Sequence, residues 1–68
     1  MTIRELIGQL EIQGMFYIKV WNDEFSDYET LAKGEDFECD KWNIDENILD
    51  RTITYIFAVD GMLNIEVE

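Results

Sequence analysis

The strongest local pattern in the chain is a pair of apolar runs on either side of Asp60-Gly61. The run from Arg51 to Val59 is rich in β-branched and aromatic residues, which are typical of strands. Asp-Gly between two such runs is a strong signal for a tight hairpin turn. The return strand is predicted from Met62 to Val67. An antiparallel hairpin near the C-terminal end is therefore the first element of the predicted fold.

The length of the turn decides which side chains of this hairpin share a face, because side chains alternate along a strand. A two-residue turn pairs Val59 with Met62, whereas a three-residue loop from Val59 to Gly61 pairs Ala58 with Met62. The longer loop places six apolar residues on one face: Ile53, Tyr55, Phe57, Leu63, Ile65 and Val67. That register gathers more apolar surface on one side, so the three-residue loop is predicted. Ile56 then faces away from the core as an apolar exception.

An amphipathic helix is predicted at about residues 3–13. Thr2 and Glu5 have the spacing of a capping box, in which each side chain satisfies the backbone N–H of the other residue. Four apolar residues recur at helical spacing, namely Ile3, Leu6, Ile7 and Leu10. Gly14 suits the left-handed residue that follows a helix end. A helix of about 11 residues is only marginally stable alone in water, so its apolar stripe requires a sheet to cover it.

Two further strands are predicted, at residues 15–21 and 28–33, joined by a polar turn and ended by Gly34. In the first of them, Phe16, Ile18 and Val20 alternate with polar or amphipathic residues. Tyr17 and Trp21 lie on the opposite face of that strand. They are therefore candidates for contact with a partner.

Residues 34–50 give the least distinct pattern. The alternation of Phe37, Cys39 and Lys41 with polar neighbours is compatible with a short strand. Asp45 to Leu49 is compatible with one helical turn, capped by Asn43 or Asp45.

The predicted fold is a single α+β domain covering residues 1–68. An N-terminal helix packs on one face of an antiparallel sheet of about four strands, with a short helical turn at 45–49. A chain of 68 residues can bury only one small core. No linker, repeat or low-complexity segment divides it.

Catalysis is not expected of this chain. It has no histidine, the commonest general base and metal ligand. Cys39 lies among acids that disfavour its thiolate, so it is interpreted as a half-buried packing residue. Asp23, Asp27 and Glu29 miss the spacing of a calcium loop. The chain is therefore predicted to use no cofactor and no metal ion.

A reducing, cytoplasmic location is expected. The single cysteine cannot form a disulfide within the chain. The first residues lack the charged and apolar regions of a signal peptide. No apolar run approaches the roughly 20 residues of a membrane span.

The charge of the chain restricts its partners. Sixteen acids stand against five basic residues, and the formal net charge is −11. Eleven of these acids lie between Asn22 and Asp50, where only Lys33 and Lys41 oppose them. Direct binding to nucleic acid or an anionic membrane is disfavoured, because both require Lys and Arg. The pattern fits either a solvated acidic surface or an interface for a basic protein.

In size, charge, lack of catalytic residues and order of helix then strands, the chain resembles the small acidic proteins of phages and mobile elements. These include anti-CRISPR and antirestriction inhibitors, several of which mimic nucleic acid. The resemblance implies an inhibitor or regulator that docks on a basic, nucleic-acid-binding surface, such as that of a nuclease. The predicted contacts are carboxylates standing in for phosphates, with three aromatic anchors: Asp23, Glu24, Asp27, Glu35, Asp36, Glu38, Asp40, Tyr28, Phe37 and Trp42.

Two alternatives remain open from the sequence. Ile56 and Met62 leave apolar surface on the far side of the predicted sheet, and edge strands can pair between chains. The chain would then be a self-associating structural protein, for example a homodimer. In the second alternative, the chain is an accessory subunit of a larger complex.

Overall fold

Four strands and four short helical segments form the structure, a computed structural model that describes residues 1–68. The elements in chain order are α1 (Ile3–Gln9), β1 (Met15–Asn22), β2 (Asp27–Gly34), α2 (Phe37–Asp40), a 3-10 turn (Lys41–Asn43), α3 (Glu46–Leu49), β3 (Ile53–Val59) and β4 (Met62–Val67). The predicted α+β class, with an N-terminal helix and four strands, is confirmed.

The sheet is mixed rather than wholly antiparallel, which corrects the prediction. Its strand order is β2-β1-β4-β3. Each hairpin is antiparallel, but β1 and β4 pair in parallel at the centre. Because β2 and β3 lie at opposite edges, the segment between them must cross the sheet, and it carries α2, the 3-10 turn and α3 across one face.

The N-terminal helix begins where the capping box predicts. Thr2 Oγ1 accepts a hydrogen bond from the Glu5 N–H at 3.2 Å, and Glu5 Oε1 accepts one from the Thr2 N–H at 3.1 Å. The helix ends at Gln9 rather than near residue 13, because Leu10 is already extended at its C-cap. Gly14 has a φ of 93°, in the left-handed region, but it leads into β1 instead of ending the helix.

The core lies between the sheet and the helical segments. Eight apolar side chains are buried there: Ile3, Leu6, Phe16, Ile18, Phe37, Ile44, Ile65 and Val67. Phe16 of β1 and Phe37 of α2 meet edge to face, with ring centroids 4.9 Å apart. This aromatic pair joins the crossing segment to the centre of the sheet.

The hairpin of β3 and β4 has the two-residue turn, so the predicted three-residue loop is wrong. Val59 pairs with Met62 and Ile56 pairs with the buried Ile65. Asp60 and Gly61 both have positive φ, at 52° and 76°, which is the backbone of a type I′ turn. Such a turn matches the twist of the strands, and this local preference outweighs the apolar surface gained by the longer loop.

The register places Ile56 on the core side of the sheet rather than facing away. Tyr55 and Phe57 lie instead on the face opposite the helices, where their pairing partners are Glu66 and Asn64. A register shift between Ile53 and Tyr55 returns Ile53 to a position opposite the buried Val67. Ile56 remains 44% exposed, although it faces the core side.

The crossing segment contains a helix where alternation suggested a short strand, so that interpretation is wrong. Asp36 caps α2 by accepting from the Glu38 N–H at 3.1 Å. The predicted turn at 45–49 is confirmed as α3, and Asp45 caps it by accepting from the Asn47 N–H at 2.8 Å. None of the helices has the length and apolar character to cross a membrane.

Candidate protein-binding surfaces

The predicted contact acids lie in two separate places. Asp23, Glu24 and Asp27 are at the turn between β1 and β2. The others follow the opposite end of β2, in or just before α2: Glu35, Asp36, Glu38 and Asp40. The eight residues of β2 separate the two groups by about 26 Å, at a rise of about 3.3 Å per residue. The acidic run of the sequence is therefore not one patch.

The second group belongs to a larger cluster, which we name the acidic helical segment and define as residues 36–50. It carries six carboxylates: Asp36, Glu38, Asp40, Asp45, Glu46 and Asp50. Lys41 Nζ contacts Glu38 Oε1 at 2.6 Å, and Arg4 Nε contacts Asp50 Oδ1 at 2.9 Å. The structure has no other ion pairs, so four carboxylates of the segment have no cationic partner.

Trp42 is the most exposed large apolar side chain of the protein, with 76% of its surface accessible. It lies in the 3-10 turn, and Asp40 and Asp45 flank it along the chain. Lys41, the preceding residue, turns inward and is buried, with Nζ 5.1 Å from the centroid of the Trp42 ring. The turn thus presents an exposed aromatic ring between two carboxylate-bearing residues.

An open groove of about 390 Å³ runs beside the acidic helical segment, between it and β2. Its apolar lining includes Leu31, Ala32, Ile44 and Ile48, and Asp40 and Asp45 contribute carboxylates. Sequence reasoning missed these apolar residues, because they come from segments that only the crossing connection brings together.

Phe37 is not a contact residue, which corrects the prediction. Its side chain is fully buried against Phe16. Phe37 is the first residue of α2 and faces the core, so it is not available as an anchor for a partner.

Tyr28 is exposed, but it lies away from the acidic helical segment, on the uncovered face of the sheet. Its ring meets the Trp21 ring edge to face, with the two centroids 5.1 Å apart, and its hydroxyl donates a hydrogen bond to Glu66 Oε2 at 3.2 Å. Desolvation, reinforced by the Glu66 carboxylate, raises the pKa of the Tyr28 hydroxyl. Tyr28 and the acids of residues 36–40 therefore form no single site.

The uncovered face carries five aromatic side chains, namely Tyr17, Trp21, Tyr28, Tyr55 and Phe57. Lys19 lies among them, with Nζ 4.2 Å from the Tyr28 centroid and 5.0 Å from the Phe57 centroid. Tyr17 and Trp21 were predicted on this face from the alternation of β1. Tyr55 and Phe57 were missed because the predicted register placed them in the core.

Cys39 is exposed rather than half-buried. Its thiol donates to Asp36 Oδ2 at 3.5 Å, and the Asp36 carboxylate raises the pKa of the thiol. The neighbouring anions thus disfavour the thiolate, as the sequence indicated. Nor do Asp23, Asp27 and Glu29 converge, since no three acidic or cysteine side chains gather in a metal-binding arrangement.

Glu38 joins three parts of the chain. It accepts from Lys41 Nζ and, at 3.1 Å, from the Ile12 N–H. The hydrogen bond from Lys41 holds the pKa of the Glu38 carboxyl below its ordinary value, and desolvation of the carboxyl offsets this lowering only in part. As the pH falls, the unfolded chain therefore takes up this proton before the folded chain does.

Glu38 is expected to stabilise the fold near neutral pH and to lose that effect in acid. Its contribution is fully present above the ordinary glutamate pKa of about 4.3 and disappears as the pH falls through the lower folded pKa. Urea midpoints of wild type and Glu38→Gln, measured from pH 7 to pH 3, should differ at pH 7 and converge below about pH 4. A gap that stays constant down to pH 3 would contradict this role.

No protein-family model matches the chain, and neither a curated protein nor a solved structure is significantly similar to it.

Proposed function

We propose that this chain is a non-catalytic binding module that docks its acidic helical segment on a basic surface of another protein. The surface is of the kind that binds nucleic acid, and occupying it inhibits or regulates the partner. The observation that carries this proposal is the exposure of Trp42 in a segment with four carboxylates that lack a cationic partner.

The charge of the module supports a basic partner. With a net charge of −11, the protein repels anionic surfaces and attracts cationic ones at long range. Asp23, Glu24 and Asp27 contribute to this attraction. They lie at the turn between β1 and β2, at the end of β2 opposite Glu35 and Asp36, so they are not expected to share the direct contacts of the acidic helical segment.

Trp42 supports a specific contact rather than attraction by charge alone. Tryptophan is enriched among the residues that dominate binding energies, because a large ring is desolvated when it enters a pocket. In the free protein, an exposed tryptophan ring does not gain this free energy of desolvation. The apolar groove beside the segment extends the surface that a partner can cover.

The fixed carboxylates support nucleic-acid mimicry. Asp36 and Asp45 accept hydrogen bonds from the first turns of α2 and α3, which hold their side chains in place before any partner arrives. Groups that are already ordered lose less entropy on binding. A surface that holds phosphates with Arg and Lys can hold such carboxylates in the same way.

The test compares two neutralised variants with the same change of net charge. Asp36→Asn, Asp40→Asn and Asp45→Asn together neutralise the acidic helical segment, and asparagine keeps the ability to cap a helix. The matched control neutralises the distant hairpin turn with Asp23→Asn, Glu24→Gln and Asp27→Asn. Each protein competes with a labelled DNA duplex for a panel of DNA-binding proteins and nucleases.

The segment variant and Trp42→Ala should each weaken competition by at least about tenfold, since hot-spot residues contribute 2 kcal/mol or more. The control variant should compete nearly as well as wild type at moderate salt. Equal losses in the two triple variants would mean that only total charge matters. The proposal would be wrong if wild type displaced no duplex from any panel member at low salt.

A further inference from the structure

The two edges of the sheet differ in how well they are protected. β2 carries Asp27, Glu29 and Lys33, and its pairing with β1 is interrupted by a register shift. Charges and bulges of this kind prevent an edge from pairing with another chain. β3, at the other edge, contains no charged residue over Ile53–Val59. Its own register shift lies at its start, between Ile53 and Tyr55, so the stretch from Tyr55 to Val59 is an apolar edge with neither charged residues nor a bulge.

Both faces of β3 are also exposed. Tyr55, Phe57 and Val59 on the uncovered face are 66%, 40% and 50% exposed, and Ile56 on the core side is 44% exposed. Of the seven residues of β3, only Ile53 is partly buried. A strand so rich in apolar side chains is exposed along nearly its whole length in the single chain.

The free part of this edge has a definite length. At its start, the Ile53 N–H donates to the Met1 carbonyl at 2.7 Å, and Thr2 bridges to Thr52, so the N-terminal residues occupy the edge there. At its other end, the strand stops at the Asp60-Gly61 turn. The five residues from Tyr55 to Val59 remain accessible, and Phe57 is their midpoint.

We propose that a second copy of this chain covers this edge, by antiparallel pairing of the two β3 strands about a two-fold axis at Phe57. Tyr55 of one copy then lies opposite Val59 of the other, and Ile56 lies opposite Ala58. These pairs keep core-side residues beside core-side residues, as an antiparallel register requires. The two sheets become one sheet of eight strands, and no new edge is exposed by the contact.

Charge favours this edge over other surfaces of the chain for contact between copies. Two proteins of net charge −11 repel each other, and the uncharged β3 brings no carboxylate into the contact. Five paired residues are far fewer than the roughly 20–30 per partner of a standard interface, so a weak dimer in the micromolar range is expected. Screening reduces the repulsion, so salt should strengthen the dimer.

This salt dependence separates the dimer from the proposed function. Contact between the acidic helical segment and a basic partner should weaken with salt, whereas pairing of two β3 strands should strengthen. The groove beside the acidic helical segment is lined by β2, at the edge opposite β3. A dimer therefore leaves both acidic segments free, and the two proposals can fail independently.

Sedimentation of the full chain, with reductant present because Cys39 is exposed, tests the dimer over micromolar concentrations. Wild type should approach twice the 8.1 kDa chain mass, more readily at 0.5 M than at 0.05 M salt. Phe57→Lys should remain monomeric. The matched control, Thr30→Lys on the β2 edge, adds the same charge and should dimerise like wild type.

Circular dichroism shows whether each variant is folded, and Val59→Lys replaces Phe57→Lys if the latter is not. The register is tested by disulfide formation in Cys39→Ser protein: Phe57→Cys should cross-link to a dimer, and Thr30→Cys should not. A wild type that stays monomeric at high salt overturns the proposal. So does a dimer that persists in a folded lysine variant of β3.

Discussion

Replacing Phe37 with alanine is expected to leave most of the protein unfolded at 25 °C. Truncating a fully buried phenylalanine removes its transfer free energy and leaves a cavity, at a cost of about 3–5 kcal/mol. The single core of a domain of 68 residues rarely supplies more than about 3–5 kcal/mol of stability. The loss is therefore comparable to the whole stability of the fold.

The position of Phe37 explains why this residue matters so much. It is the only buried side chain of α2, and its ring packs on Phe16 in the centre of the sheet. The Phe37 N–H also donates to the Gly14 carbonyl at 2.8 Å, which ties α2 to the start of β1. Without the ring, the crossing segment loses its main contact with the sheet.

Urea unfolding followed by circular dichroism measures the effect. The matched control is Phe25→Ala in the turn between β1 and β2, where the side chain is 74% exposed. That change should alter stability by no more than about 0.5 kcal/mol. Similar urea midpoints for Phe37→Ala and Phe25→Ala would contradict the role of the Phe16–Phe37 pair in stabilising the core.

Replacing Gly34 with alanine should also destabilise the fold, by about 1–3 kcal/mol. A Cβ atom at Gly34 would lie 2.5 Å from Asp40 Oδ2 and 2.5 Å from Cε1 of the Phe16 ring. The Asp40 carboxylate can move aside, but Phe16 is buried against Phe37. The clash is therefore relieved only by shifting the core.

Gly8→Ala is the control for this prediction, because it makes the same chemical change in open space. Nothing lies within 4 Å of a Cβ at Gly8, which is in α1. Alanine there should stabilise the helix by about 0.5–1 kcal/mol, because glycine loses more backbone entropy. The two substitutions should thus shift the thermal midpoint in opposite directions, and shifts of the same sign would refute the close contact at Gly34.

The acidic helical segment and the uncovered β3 edge give the protein two chemically different surfaces. Residues 40–48 of the acidic helical segment lie next to β2 on the helical side of the sheet, and the apolar strand β3 forms the far edge. In the proposed dimer, two acidic segments would be carried on one continuous sheet. A partner with two basic sites would then bind both at once, with a gain in overall affinity over a single contact.

Features that depend on neighbouring residues were determined by the sequence alone. The capping box of Thr2 and Glu5 sets the start of α1, and the helical turn at 45–49 was predicted with Asn43 or Asp45 as its cap, of which the structure has Asp45. The alternation of Phe16 and Ile18 gives the buried face of β1. Each of these follows from hydrogen bonds or side-chain directions within a few residues, so the local pattern contains the necessary information.

Tertiary structure alone decided how these elements meet. The parallel pairing of β1 with β4 and the exposure of Tyr55 and Phe57 depend on contacts between distant parts of the chain. The separation of the hairpin acids from the acidic helical segment has the same origin. Net charge is a sum over residues and can be read from the sequence. The distribution of that charge over the surface depends on the fold. The hydrophobic effect is not directional, so several packings of the same strands can bury a similar apolar area. The contacts of the complete chain select one of them.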